Sequence, residues 1–274
     1  METKSPQIIV VLRLLFLFLF GIVLSGLLQS FLFPSVHLSD QSSQGEVNIY
    51  LFSIGLSQLC LFVLPSLIWL KWMQESVLKS TYKKRHLFIP ICFAVCLFIS
   101  VYGLNELIVF FINHVDSFHW MNDLQEKQSE LYTAIFGEGK DIILPIVVIG
   151  ILPAIAEELF FRRILFGYFS ERTMRFWKPA LVSSFLFAFV HFQPALFVPM
   201  FILAMLFAFL YYVSGSIIMG VILHALNNIF QLLLIHYKWE ISSSSWMIIS
   251  SLALVIAVLL MMKFRNYFIG LFRN

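Results

Sequence analysis

Three short stretches carry residue types able to do hydrolytic chemistry in a setting where such residues are costly. Ala156-Glu157-Glu158-Leu159-Phe160-Phe161-Arg162, Phe187-Ala188-Phe189-Val190-His191 and His224-Ala225-Leu226-Asn227-Asn228 each interrupt a long apolar run. Ionisable groups in such runs usually face a partner or a wet cavity. Glu158 and Arg162 are four apart with the acid first, the favourable order for a pair on one helix face. Glu157 lies about 100° round the same helix and cannot share that partner equally well. A carboxylate without a mate in low dielectric is poised to take a proton from water near neutral pH. The plainer alternative is that both glutamates bridge to Arg162 and Arg163 near an interface. His224 and Asn228 are also four apart, so imidazole and carboxamide project from one face. Both can donate to an oxygen that becomes negative during acyl transfer, although hydrogen bonding between helices would use the same groups. His191 alone is ambiguous, and Phe187 one turn before it reads as packing.

The elements that position these residues must be membrane helices. Of 274 residues, 60% are hydrophobic and 12% charged, against roughly 45–50% apolar and about 25% charged in soluble domains. That excludes disorder and an ordinary soluble enzyme. A net charge of +3 is too small to imply a nucleic-acid partner. The expected fold is therefore an all-α polytopic membrane helical bundle with about eight transmembrane helices. Apolar runs long enough to span are 8–33, 47–70, 87–112, 141–162, 178–193, 195–213, 216–236 and 245–263. The fifth and sixth meet at the Gln193-Pro194 corner and read as a hairpin stopping short of the far interface, which needs shielding by other helices. The first run is too long for a signal-peptide core and is read as a retained span.

Lys and Arg gather on one side of this pattern, with Arg163, Arg172, Arg175 and Lys178 counted among them, and only Lys127, Lys140 and Lys238 fall on the other. The positive-inside rule then gives N-in and C-in. The loop 114–140 lies outside, where Met121, Leu124, Leu131 and Ile135 have helical spacing and predict an interfacial helix interrupted by Gln128. The run Ser242–Ser245 reads as a loop. Cys60, Cys92 and Cys96 are odd in number without C-x-x-C spacing, so neither a disulfide framework nor a zinc knuckle is expected. Asn105 and Glu106 in the third span suit hydrogen bonding between helices, and the basic loops 71–85 and 172–178 serve as topology signals. At about 1.5 Å per residue, Glu157 lies about 9 Å, His224 about 12 Å and Asn228 about 18 Å from the basic flank, with His191 about 20 Å away. A shared layer in the cytosolic half follows if the fifth helix tilts. The chain divides into 1–140 (three spans and the external segment), 141–236 (the core with the three motifs) and 237–274 (a last span and a basic tail).

The order E-E-x-x-x-R, F-x-x-x-H and H-x-x-x-N, each on its own helix within residues 157–228, resembles the CPBP (Abi) family of intramembrane proteases. That family includes CAAX prenyl endopeptidases and bacteriocin-processing or immunity proteins. The resemblance covers roughly 140–236. It implies that Glu157 activates the attacking water, that His191 helps to position it, and that His224 and Asn228 stabilise the oxyanion. Glu158 and Arg162 would support the helix and its charge balance.

The expected function is an intramembrane endopeptidase acting on a membrane-embedded or lipidated peptide that approaches from the cytosolic side, in a bacterial cell membrane. The lipid bilayer is the other expected partner; oligomeric state is not legible. No cofactor is expected in the preferred, metal-free form. A zinc-dependent form would use Glu157, His191 and His224 as ligands, but no H-E-x-x-H pair is present. A different class is a non-catalytic immunity or regulatory protein. A transporter would show paired halves with broken helices, and none is visible.

Overall fold

The computed structural model describes residues 7–33, 38–39, 42–74, 87–137, 139–173 and 175–272. Among these residues there are ten helices and no strand. They are α1 (Gln7–Leu32), α2 (Gln44–Met73), α3 (Phe88–His114), α4 (His119–Phe136), α5 (Ile143–Thr173), α6 (Trp177–Val190), α7 (Phe197–Ser214), α8 (Ile218–His236), α9 (Ser243–Lys263) and α10 (Arg265–Leu271). Seven of them, α1, α2, α3, α5, α7, α8 and α9, are long and apolar enough to cross a membrane, and the protein is a multi-pass helical bundle.

The span expected at 178–193 is not met by length. α6 has 14 residues, a rise of about 21 Å against a hydrocarbon core of about 30 Å. Phe192 takes a left-handed conformation (φ 50°) and Pro194 opens a single tight turn before α7. The chain therefore reverses inside the bundle, as the Gln193-Pro194 corner foretells. α4, the amphipathic helix of the 114–140 loop, packs against this corner and shields it.

Side-chain caps place two helix starts. Ser43 and Glu46 form a reciprocal capping box, with Ser43 N–H donating to Glu46 Oε2 at 2.7 Å and Glu46 N–H to Ser43 Oγ at 3.3 Å. It begins α2 three residues before the apolar run. Ser242 accepts from Ser245 N–H at 3.2 Å and caps α9. The serine run expected to be a loop is thus a helix start, because hydroxyls satisfy the amides that open a helix.

α9 lies along α3 through a close approach at Gly103. Ser250 Oγ accepts from Gly103 N–H at 2.9 Å and donates to Ile99 O at 3.0 Å, so one hydroxyl enters the α3 ladder. A Cβ on Gly103 would stand 2.5 Å from that of Ser250. Small residues permit this approach.

The bundle has two distinct ends. Lys71, Arg172, Arg175, Lys178, Lys263 and Arg265 lie at or just beyond helix termini of one, the basic end. At the other, the loop end, Lys140 Nζ donates to Ser42 O, Asp141 N–H to Gln44 Oε1 at 3.1 Å, and His236 Nδ1 to Phe136 O at 2.9 Å. Lys4, Lys79, Lys83, Lys84, Arg85 and Arg273, which complete the expected basic side, lie outside the described residues. Arg163 is no loop charge: it is buried within α5, 3.9 Å from Glu171 Oε1. The core at the basic end is aromatic and tight, with Trp69 against Tyr168 and Phe176 among Phe166, Tyr212 and Phe272.

Candidate active site

α5 is unevenly wound. Its backbone widens to i→i+5 bonding over Ile146–Ile151 and again over Glu158–Phe166. Such stretches often mark functional sites. Pro153 follows the first and has no N–H for the carbonyl of Ile149, four residues back. Glu157 and Glu158 stand at the junction with the second, and both are buried.

Glu158 is the paired acid. Its Oε1 lies 3.0 Å from Arg162 Nη1 and accepts from His224 Nδ1 at 3.3 Å. Arg162 is only 1% exposed. Its guanidinium sits 4.5 Å from the ring centre of Phe187 and 5.2 Å from that of Phe207, and Nη2 donates to Ala204 O at 3.3 Å. Aromatic faces and a carbonyl thus surround a charge whose counter-ion is Glu158.

Glu157 is the free acid. Its Oε2 is buried with no hydrogen-bond partner, 3.7 Å from His191 Nε2 and 3.8 Å from His224 Nε2. Those separations exceed a direct hydrogen bond. Each imidazole is oriented through its other nitrogen. His191 Nδ1 donates to Phe187 O at 2.7 Å, so a neutral His191 turns an Nε2 lone pair towards Glu157. His224 Nδ1 is committed to Glu158, while its ring stacks on Phe207 at 5.2 Å and meets the edge of Phe187 at 5.8 Å. Phe187, read as packing, does pack, and its carbonyl also sets the His191 tautomer.

Three of the four expected catalytic residues, Glu157, His191 and His224, therefore converge, with Glu158 and Arg162 behind them. Asn228 lies one turn further along α8 and lines the same cavity. Its Nδ2 makes long bonds to the carbonyls of Ile149 and Gly150, both at 3.4 Å. Its amide hydrogens are thus turned to α5. The hydrogen bond between helices expected of Asn105 is not formed at its Oδ1, which is buried without a partner on the cavity wall. Glu106 does not line the cavity.

The cavity has a volume of about 590 Å³ and runs from Glu157, Phe187, Phe207 and His224 to Tyr132, Ile135 and Ile235. A second hollow of about 240 Å³ shares His191, Gln128 and Gln193 with it and extends along α4 to Met121. Gly220 is a site residue that reading by motif missed. A Cβ there would meet Glu158 Oε2 at 2.7 Å, and the available signal was a glycine one helical turn before His224. Tyr102 and Asn227 were also missed: Tyr102 Oη donates to Asn227 Oδ1 at 3.0 Å across the cavity flank, and Trp246 stacks on the Tyr102 ring at 4.7 Å.

Among the described residues no group of three His, Cys, Asp or Glu has the arrangement of a metal site. Tetrahedral zinc at about 2.0–2.2 Å from each ligand sets its donors roughly 3.3–3.6 Å apart, a few tenths of an ångström closer than Glu157 Oε2 stands to His191 Nε2 (3.7 Å) and His224 Nε2 (3.8 Å), so Glu157, His191 and His224 would hold such an ion only after a small closure. No step below is routed through a metal.

Residues 139–230, a third of the chain and the part that holds every residue of the three motifs, match the family model described as Rce1-like, type II CAAX prenyl endopeptidase Rce1-like. No curated protein and no solved structure matches the chain.

Proposed function

We propose, from the match of residues 139–230 to the type II CAAX prenyl endopeptidase Rce1-like family model, that this chain is an intramembrane endopeptidase whose water-activating group is Glu157. The observation that carries the assignment is the contrast between adjacent acids. Each acid has a buried Oε2 without a hydrogen-bond partner, but Glu158 is held through Oε1 by Arg162 and His224 and does not line the cavity, whereas Glu157 lines it and faces two imidazole nitrogens.

A water lying between Glu157 Oε2 and His191 Nε2 donates one hydrogen to each. Glu157 takes its proton as the water oxygen attacks the carbonyl carbon of the scissile peptide. The tetrahedral intermediate then places its oxyanion at His224. Donation from Nε2 while Nδ1–H stays on Glu158 uses the imidazolium form of His224. Collapse breaks the C–N bond, and the proton held by Glu157 passes to the leaving amine. Glu158 and Arg162 position His224 without touching substrate. Asn228 completes the cavity wall and holds α8 to α5. The reaction consumes one water and releases a carboxylic acid and an amine, which exchange the remaining water proton to leave as carboxylate and ammonium.

The substrate is a membrane-embedded or lipidated peptide, consistent with a cavity inside a helical bundle, and the host membrane is that of a bacterial cell. The test is cleavage of membrane peptides by the purified chain and by Glu157→Gln, with folding checked by thermal unfolding in detergent. Loss of cleavage in a folded variant supports the assignment. Retained cleavage removes Glu157 from the role, and a Glu157→Gln form that fully rescues a deletion points to a binding protein. Stoichiometric zinc whose removal reversibly stops turnover would replace the metal-free scheme.

A further inference from the structure

The site is closed towards the basic end. Directly beyond Glu157 and His224 in that direction lie Glu158 and Arg162, both at most 1% exposed, and then the packed rings of Phe161, Phe166 and Tyr211. The cavity leads the other way. Its far wall is α4 and the last turns of α8, at Leu131, Tyr132, Ile135 and Ile235, the region where His236 meets the Phe136 carbonyl. His191 and Gln193, at the α6–α7 corner, join it to the second hollow beneath the first turns of α4. The helix ends rich in Lys and Arg are therefore behind the site, and the passage leads towards the loop end, whose described residues mix Asp116, Asp141 and Glu240 with Lys140 and Lys238.

The passage wall has a definite chemistry. Among the described residues, its only ionisable side chains apart from the Glu157, His191 and His224 group are tyrosines. Amides recur along it at Gln58, Asn105, Gln128, Gln193 and Asn227, between apolar residues. The Oε1 of Gln58 and Oδ1 of Asn105 are buried without hydrogen-bond partners. A carboxamide both donates and accepts, as a peptide group does. A wall of amides without fixed charge matches the backbone of an extended, uncharged peptide segment and disfavours a charged one.

We infer that substrate reaches this site from the extracytoplasmic face, as an extended uncharged segment of an exported or membrane-inserted peptide passing beneath α4. Lys and Arg at the opposite end fix which face this is. This differs from the approach from the cytosolic side expected above, and the labelling experiment below decides between the two. The inference deepens the protease reading and rests on it for the word substrate, but its geometry stands whether or not Glu157 is the base.

The test reads access rather than turnover. In the full chain with Cys60, Cys92 and Cys96 replaced by alanine, Gln193→Cys is exposed to a membrane-impermeant maleimide in right-side-out and in inverted vesicles. Arg175→Cys reports the basic end. Gln193→Cys should label in right-side-out vesicles, with labelling lost in inverted ones, and Arg175→Cys should do the reverse. Gln128→Cys gives a second reading if Gln193→Cys does not fold. Labelling of the corner from the inside, from both faces alike or from neither overturns the inference. Failure of Glu157→Gln to abolish cleavage would sink the catalytic assignment and leave this labelling pattern untouched.

Discussion

Gly220 on α8 and Glu158 on α5 are in contact at a distance that no side chain allows: a Cβ at Gly220 would stand 2.7 Å from the Glu158 Oε2. The carboxylate lies against bare backbone, and His224 one turn later reaches its other oxygen at 3.3 Å. Gly220→Ala should therefore push Glu158 from Arg162 and His224 together. Helix propensity alone would stabilise the variant by up to about 1 kcal/mol. Overpacking of a buried site costs about 1–3 kcal/mol and should dominate. Thermal unfolding in detergent should fall along with turnover. An unchanged midpoint with full activity would mean that the carboxylate moves freely.

The two neighbouring acids should separate in a paired experiment. Glu157→Gln should lower turnover by about 10²–10⁴-fold, the usual range for removing a general base, with little change in unfolding. Glu158→Gln leaves the Arg162 charge buried without its counter-ion, and stability should fall by about 3–5 kcal/mol. Adding Arg162→Met to Glu158→Gln should recover part of that loss while turnover stays low, because His224 remains without its partner. Equal destabilisation by the two single variants would refute the division of labour.

Asn228 offers a sharper decision. Its amide bonds to the Ile149 and Gly150 carbonyls, so Asn228→Ala should lower stability by about 0.5–1.5 kcal/mol and reduce turnover in step. Asn228→Asp, which has no N–H to donate and sets a carboxylate against two carbonyls, should be worse than alanine in both measurements. Lost turnover in Asn228→Ala with an unchanged unfolding midpoint would instead put this amide on the reacting atoms.

These variants also mark how far reading by motif reached. Glu157, His191 and His224 were legible because charged or imidazole groups in apolar runs need an explanation, and helical spacing assigns each to a face. The pairing of Glu158 with Arg162 was legible for the same reason. Gly220 was not, since its role is to be absent as a side chain, and that depends on which helix lies opposite. The binding of the Asn228 amide depends on the carbonyls of Ile149 and Gly150, 79 and 78 positions earlier, and becomes visible only when α5 and α8 pack. Helix starts at Ser43 and Ser242 were obscured because apolar runs locate buried length, whereas caps are polar. The direction of the cavity was beyond local pattern altogether: spacing gives depth along a helix, and packing at the ends decides which end is sealed.

The seat of α4 over the passage should respond to alkali. Tyr132 lies on the cavity wall, and burial pushes its phenol up from the ordinary tyrosine range, with hydrogen bonds to Gln128 and Gln193 offsetting part of the rise. A raised acid favours the protonated form in the folded state. Its contribution is full below the unfolded value of about 10 and is lost as pH climbs through the folded one. Tyr132→Phe should therefore lose less stability than the parent between neutral and strongly alkaline pH. Identical alkaline losses in the two proteins would show that this phenol does not hold the helix.

The wide winding of α5 over Glu158–Phe166 has a bearing on how the chain tolerates insertion and deletion. Removing one residue from that stretch would let it tighten into regular coil, a locally favourable change. Everything downstream would then swing round the axis, carrying the guanidinium of Arg162 off its carboxylate and into lipid or backbone. A shortened chain of this kind would be well wound and still have lost the Glu158–Arg162 pair, so the register of this segment matters more than the length of any loop.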